Sequence, residues 1–170
     1  MTGDRSEVSL VAARVIDALV AARLTIGVAE SLTGGLLAAA LIGVPGASAA
    51  VRGGVVAYDT RVKHSLLDVD AGLLALRGAV HPEVALQMAD GVRRALQVDG
   101  RPADVGVATT GVAGPDPQDG QDVGTVFVAV VTRAGGRVVP LRLDGGRQEI
   151  RDRTVELALE AVLQELTALD

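Results

Sequence analysis

Cysteine and aromatic residues are almost missing from this chain. Its 170 residues include no Cys, no Trp, one Tyr and one Phe. The lack of cysteine excludes disulfides, thiolate catalysis and cysteine-ligated zinc, and it fits a reducing cytoplasm. Because single-stranded nucleic acid is bound by stacking on aromatic side chains, this composition also argues against that class of ligand. The hydrophobic 49% of the chain must therefore build its core from Ala, Val and Leu.

Excess positive charge and long apolar runs are missing as well. The formal net charge is −5, which disfavours binding to a nucleic-acid phosphate backbone. No apolar run approaches 18 residues, and the polar start of the chain lacks the pattern of a signal peptide. We therefore expect a cytoplasmic protein with no nucleic-acid or membrane partner, folded as one domain over residues 1–170.

Helical and strand patterns alternate along the chain. Helices are predicted at 6–20 (with Ser6 as cap), 36–42, 59–68, 82–97 and 148–169, with a short helical piece before Gly78. Strands are predicted at 24–28, 51–58, 103–110, 124–132 and 137–143, the last two forming a hairpin through 134–136. This order predicts an α/β fold, a three-layer α/β/α sandwich with a mixed, mostly parallel sheet of about five strands and one antiparallel strand.

Four polar or glycine-rich turns follow predicted strands. They cover residues 29–35, 58–63, 110–124 and 144–147. Open α/β sheets bind their ligands at the carboxyl ends of the strands. We therefore expect these four turns to converge on one site.

Ser31 lies in the first of these turns, between a strand and a helix. A hydroxyl there is either a helix cap or a nucleophile, and a serine nucleophile needs a base. The two histidines are poor candidates, because His81 is predicted to cap a helix and His64 lies among charged residues. Lys63 is the single lysine beside fifteen arginines, and lysine, unlike arginine, can lose its proton. The alternative for Lys63 is a solvated surface side chain.

The other turns carry further candidates. Thr110, Gly111 and Gly114 suit close approach of the backbone to a ligand. Arg147 and Arg151 lie four residues apart on one helix face and are either exposed or grip a phosphate or carboxylate together.

Two further features leave alternatives open. Tyr58 is either core filler or a hydrogen-bonding member of the site. Asp116, Asp119 and Asp122 lack the spacing of a calcium loop, so no metal site is predicted.

Together these motifs resemble one family, the CinA C-terminal domain, whose stand-alone members are nicotinamide mononucleotide amidohydrolases (PncC type). The resemblance covers residues 7–168 and rests on Lys63 together with ESLTGG (30–35), VPGAS (44–48), GGVVAY (53–58), GAV (78–80), TGVAGP (110–115), VGTV (123–126) and Gly146-Arg147 followed by Arg151. The chain departs from the family at Leu32, at His81, at Gly146 and in the loop 116–122. Those departures concern the shape of the pocket and leave the serine and lysine positions intact.

The resemblance implies hydrolysis of the carboxamide of nicotinamide mononucleotide to nicotinate mononucleotide and ammonia, as a step of NAD recycling without a cofactor or metal. Ser31 would attack the amide carbon, Lys63 would take its proton and Tyr58 would orient Lys63. This use of lysine requires a lowered pKa, either through burial or through a nearby cation such as Arg61 or Arg147.

The same resemblance assigns substrate-binding residues. Backbone N–H groups from Thr33 through Gly34 to Gly35 would hold the oxyanion. The pocket would be lined by Thr110, Gly111 and Gly114, and Arg147 would face the phosphate with Arg151 beside it. The alternative is a catalytically silent nucleotide-binding or assembly module of the same fold, and a homo-oligomer is compatible with either.

Overall fold

The computed structural model describes residues 3–168, and it describes side chains from residue 7 onward. The helices in this part of the chain are α1 (Gly3–Ala22), α2 (Leu36–Ile42), α3 (Thr60–Leu67), α4 (Ala71–Arg77), α5 (Pro82–Ala95) and α6 (Arg147–Thr167). The strands are β1 (Ile26–Glu30), β2 (Val51–Val56), β3 (Val105–Gly111), β4 (Thr125–Val131) and β5 (Gly136–Arg142), and a 3-10 turn covers Ala47–Ala49.

The five strands form one mixed sheet in the order β2-β1-β3-β4-β5. β1 pairs in parallel with both β2 and β3, whereas β4 is antiparallel to both of its neighbours, β3 and β5. One strand of five therefore runs against the others, which confirms the predicted mixed, mostly parallel sheet. All five residues of β1 are buried, as is usual for a parallel strand with helices on both faces.

Helices cover both faces of the sheet and confirm the predicted three layers. On one face, α1, α2 and α6 pack through a cluster that includes Leu19, Leu37 and Leu159. On the other face, α3, α4 and α5 pack through a second cluster that includes Leu67 and Met88. These clusters consist almost wholly of aliphatic side chains, in keeping with the scarcity of aromatics.

Several predicted boundaries were wrong by one to three residues: β2 ends at Val56 and not at residue 58, and β3 begins at Val105 and not at residue 103. Helix α1 begins at Gly3, so Ser6 lies inside the helix and is not its cap. Strand β1 runs from Ile26 to Glu30, two residues later than predicted, because Thr25 hydrogen-bonds through its N–H and hydroxyl to Asp104 before the strand begins. This later strand brings a charged residue, Glu30, into the sheet directly before Ser31.

The helix starts at residues 59 and 81 agree with the predictions. Asp59 caps α3 by accepting the N–H of Arg61, and His81 caps α5 by accepting the N–H of Glu83. Within residues 3–168, no helix is long and apolar enough to cross a membrane.

Candidate active site

The four predicted turns meet at the carboxyl ends of the parallel strands. Ser31 follows β1, Tyr58 follows β2, Thr110 lies near the end of β3, and Arg147 begins α6. Together with residues 79–80 and the loop after β3, these residues line a pocket of about 150 Å³. The convergence expected from topology is therefore confirmed.

Ser31, which lines this pocket, forms a hydrogen-bonded pair with Lys63. Lys63 Nζ lies 3.0 Å from Ser31 Oγ and donates a second hydrogen bond to the Ala57 carbonyl at 2.6 Å. Lys63 is 0% exposed and Ser31 is 8% exposed. The alternative in which Lys63 is a solvated surface side chain is therefore excluded.

The position of Lys63 follows from the inward face of α3. Side chains four residues apart share one face of a helix, and Lys63 shares its face with the buried Leu67. Leu67 packs in the hydrophobic cluster beneath α3, so Lys63 is turned into the protein as well. The single lysine is thus placed by ordinary amphipathic packing.

Burial changes the acid–base behaviour of Lys63. Loss of water around the ammonium lowers the pKa of Lys63 from 10.5 to about 8, although the negative charges of Asp59 and Asp119 act in the opposite direction. Of the two sources that the sequence left open, burial and not a nearby cation therefore lowers this pKa. At pH 7 roughly one Lys63 in ten is then neutral, compared with about one in 3,000 for an unperturbed lysine.

Glu30 caps helix α2 in place of Ser31. Its carboxylate is 1% exposed and accepts the N–H groups of Gly35 at 2.9 Å, Leu37 at 3.1 Å and Ala38 at 2.9 Å. A buried carboxylate with three donors satisfies a helix N-terminus that has no other side-chain cap. The Ser31 hydroxyl is thereby left to Lys63, which removes the cap alternative for Ser31.

The Ser31 turn, residues 31–35, uses its N–H groups differently from the expectation. The N–H of Gly34 donates to the Ser31 carbonyl at 3.2 Å, and that of Gly35 is held by Glu30. These two groups, expected to hold an oxyanion, are therefore occupied. Within the described part of the chain, the N–H groups of Leu32 and Thr33 donate to no acceptor.

The side chain of Thr33 does not contact the pocket either. Thr33 is fully buried and its hydroxyl bonds to that of Thr109 at 2.8 Å. Gly34 and Gly35 adopt φ values of 58° and 100°, so both positions favour glycine for backbone reasons. Thr33, Gly34 and Gly35 shape the turn behind the pocket and do not line it.

Tyr58 pairs with Arg147 and not with Lys63. Arg147 donates to the Tyr58 hydroxyl at 3.1 Å and to the Gly114 carbonyl at 2.7 Å. The predicted orientation of Lys63 by Tyr58 is therefore wrong: the Ala57 carbonyl does this instead, because it lies at the end of β2 beside the buried amine. Arg147 and Tyr58 both line the pocket at its exposed rim, where Tyr58 is 63% exposed.

Arg151 does not line the pocket, contrary to the prediction. Its Nε donates to the Leu32 carbonyl at 2.9 Å, its Nη2 to the Thr33 carbonyl at 3.1 Å and its Nη1 to Gln148 at 2.9 Å. All three guanidinium nitrogens are used inside the chain, so the pairing with Arg147 on one ligand is not found. The spacing of four residues correctly placed Arg147 and Arg151 on one helix. It did not predict the direction in which each side chain points.

The loop after β3 forms the remaining wall, as predicted for Thr110, Gly111 and Gly114. Thr110 donates its hydroxyl hydrogen to the Ala79 carbonyl at 2.7 Å, and Asp119 accepts the Ala79 N–H at 2.9 Å. Ala79 thus links Thr110, at the end of β3, to Asp119 in the loop 116–122.

Comparisons with known proteins agree with the motifs. The model of the CinA C-terminal domain matches residues 8–166. A CinA-like protein of Frankia casuarinae is 49% identical over 155 residues, which are 91% of this chain and 35% of that protein. One from Gemmatimonas aurantiaca is 45% identical over 140 residues, 81% of this chain and 31% of that protein. The chain thus spans about a third of the length of these curated relatives.

Solved structures give the same picture. A CinA superfamily protein from Klebsiella pneumoniae has a TM-score of 0.87 and 32% identity over 95% of this chain and 98% of that chain. The competence/damage inducible protein of Agrobacterium tumefaciens has a TM-score of 0.86 and 38% identity over 95% of this chain and 96% of that chain. With its motifs, its fold and its family match in agreement, this chain belongs to the CinA C-terminal domain family.

Proposed function

We propose that this protein is an amidohydrolase that converts nicotinamide mononucleotide to nicotinate mononucleotide and ammonia. The observation that carries the proposal is the buried Ser31–Lys63 pair, with 3.0 Å between Oγ and Nζ and a lowered pKa of the lysine. A serine beside a partly neutral lysine is an activated nucleophile for acyl transfer. The family membership and the motif resemblance support nicotinamide mononucleotide as the substrate.

In the first half of the reaction, Ser31 Oγ attacks the carboxamide carbon and its proton passes to Lys63 Nζ. The carbonyl oxygen becomes an oxyanion beside the Ser31 turn, where two N–H groups are free and Leu32, which carries one of them, lines the pocket. Collapse of this tetrahedral intermediate breaks the C–N bond. The departing nitrogen takes the proton from Lys63 and leaves as ammonia, so Ser31 carries the nicotinoyl ester.

In the second half, water attacks the ester carbon while neutral Lys63 takes a proton from it. Collapse of the second intermediate returns that proton to Ser31 Oγ and releases the carboxylate product. Each half uses the same base in both directions, so the site needs one lysine and consumes only water.

The rim of the pocket suits the rest of the nucleotide. Arg147 is the cation that lines the pocket at its exposed edge, held by Tyr58 and Gly114. In the proposal the carboxamide enters toward Ser31, and the phosphate lies at the rim on Arg147. Gly114 and Tyr58 fix the guanidinium before substrate arrives.

The test is ammonia release from nicotinamide mononucleotide by the purified protein, followed with and without EDTA. We expect turnover in both conditions, because this mechanism uses no metal. Ser31→Ala should lose at least about a thousandfold in kcat while folding normally, and Ser65→Ala, on the exposed side of α3, is the matched control. Binding of the nucleotide without ammonia release would identify a silent nucleotide-binding module instead.

A further inference from the structure

We propose that Glu30 and Arg151 are positioning residues that hold the Ser31 turn from its two sides. This inference rests on the proposed function, since it concerns how the nucleophile and its oxyanion donors are placed. Neither residue lines the pocket. Both act through the backbone of the turn.

Glu30 holds the end of the turn. Its carboxylate binds the N–H groups of Gly35, Leu37 and Ala38, and these contacts join the last residue of β1 to the first turn of α2. Hydrogen bonds to an ionised group are stronger than neutral ones, and a negative charge is favoured at a helix N-terminus. The five residues between strand and helix are therefore closed into a loop of fixed span.

Arg151 holds the middle of the turn from α6. Its planar guanidinium reaches the carbonyls of Leu32 and Thr33 with two different nitrogens, while Gln148 fixes the third. Arginine presents donors in a rigid fork that a lysine ammonium does not reproduce. The contact spans more than a hundred residues of sequence and attaches α6 to the turn that follows the nucleophile.

The two carbonyl contacts have a directional consequence. In a planar trans peptide the C=O and the following N–H point in opposite directions. Since Arg151 binds the Leu32 carbonyl, the N–H of Thr33 points away from Arg151, and it is one of the two N–H groups in the turn without an acceptor in the described chain. Arg151 thus fixes the direction of a free N–H group in the Ser31 turn without touching the substrate.

The experiment compares Arg151→Met and Glu30→Gln with the wild type in two measurements. In turnover of nicotinamide mononucleotide, kcat should fall at least about tenfold with KM changed less than about threefold, because misplacement of about 1 Å at a reacting centre costs on the order of 100-fold. The acid limb of the pH profile should stay in place, since Lys63 is untouched. Arg151→Lys should recover only part of kcat.

The second measurement needs no activity. Amide hydrogen exchange of the segment 31–38 should become faster in both variants, while exchange of the β3 and β4 strands stays as in the wild type. If wild-type protein hydrolyses no nicotinamide nucleotide, the proposed function fails, yet this exchange still decides whether the turn is held.

Two matched controls separate positioning from general destabilisation. Arg153→Met removes an arginine from the same helix that pairs with Glu156, and Asp104→Asn alters a carboxylate that caps the opposite end of β1 at Thr25. Both should lower Tm and leave kcat within about twofold. A rise in KM with unchanged kcat in Arg151→Met would assign Arg151 to substrate binding, and unchanged exchange at 31–38 would show that the turn holds without the clamp. Either result overturns the proposal.

Discussion

At the scale of single residues, the proposed chemistry depends on whether the Lys63 amine is charged or neutral. Arginine would keep a positive charge at this position but does not release its proton at working pH. We therefore expect Lys63→Arg to be nearly as inactive as Lys63→Ala, measured as ammonia release from folded protein. Substantial activity in Lys63→Arg would mean that a fixed charge suffices and that another group is the base.

The acid side of the pH profile tests the same residue. A base works only when deprotonated, so kcat/KM should fall as the pH drops through about 8, the pKa of Lys63. Asp59 is the stronger of the two charges that raise this pKa. In Asp59→Asn the cap of α3 is kept and the charge is lost, so the acid limb should move to lower pH. A profile that stays fixed would show that Lys63 does not set it.

Arg147 is the residue expected to recognise the phosphate. In Arg147→Ala, a lost charge-assisted contact of about 1.5–3 kcal/mol should reduce kcat/KM for the mononucleotide roughly 10- to 150-fold. The corresponding riboside, which lacks the phosphate, serves as the control and should lose far less. An equal loss for both compounds would show that Arg147 does not bind the phosphate and serves only to hold Tyr58 and Gly114 in place.

At the scale of elements, α3 can carry Lys63 into the protein because α5 comes very close to it. A Cβ at Gly91 of α5 would lie 1.8 Å from the Leu67 carbonyl oxygen at the end of α3. Gly91→Ala must therefore push the helices apart, with an expected loss of about 1–3 kcal/mol in unfolding free energy and a fall in kcat as Lys63 shifts. Denaturant unfolding and turnover check this.

The matched substitution is Gly72→Ala in the exposed helix α4. There the nearest heavy atom to a new Cβ is the carboxylate of Asp70 at 3.1 Å. Its unfolding free energy should change by less than about 1 kcal/mol, with kcat unaffected. Equal effects of the two substitutions would argue against the close approach of α3 and α5.

Patterns of apolar residues predicted most elements and the strand hairpin, and His81 before Pro82 predicted the cap of α5, because these features depend on local sequence. The predicted topology also placed the turns that contain Ser31 and Lys63 near each other, since the carboxyl ends of parallel strands lie at one edge of an open sheet. The roles of Arg151 and Tyr58 were missed because side-chain direction depends on contacts between distant elements. The role of Glu30 had one signal in the sequence. A carboxylate at the end of a buried apolar strand needs buried hydrogen-bond donors.

At the scale of the whole molecule, burial of Lys63 lowers stability near neutral pH. Folding favours the neutral amine, whereas the unfolded chain keeps the proton up to about 10.5. Below pH 8, burial of the charged Lys63 lowers the free energy of unfolding by its full amount, about 3 kcal/mol. This loss of stability becomes smaller as the pH rises from 8 toward 10.5, because in that range the unfolded state binds more protons than the folded state.

The comparison of wild type with Lys63→Met isolates this effect. The stability of the wild type relative to Lys63→Met should rise over that pH range, as measured by urea unfolding at several pH values. Arg61→Met is the control, because the exposed Arg61 keeps its proton throughout and should give no such trend. A flat difference between wild type and Lys63→Met would mean that Lys63 is charged in the folded protein.

The position of Tyr58 has a practical consequence. It is the sole tyrosine of a chain without tryptophan, and it lies at the mouth of the pocket with its hydroxyl bonded to Arg147. The ultraviolet fluorescence of this protein therefore comes almost wholly from one ring at the mouth of the pocket. A titration with unlabelled nucleotide can consequently be followed by intrinsic fluorescence, and the protein carries its own optical probe for every variant that keeps Tyr58.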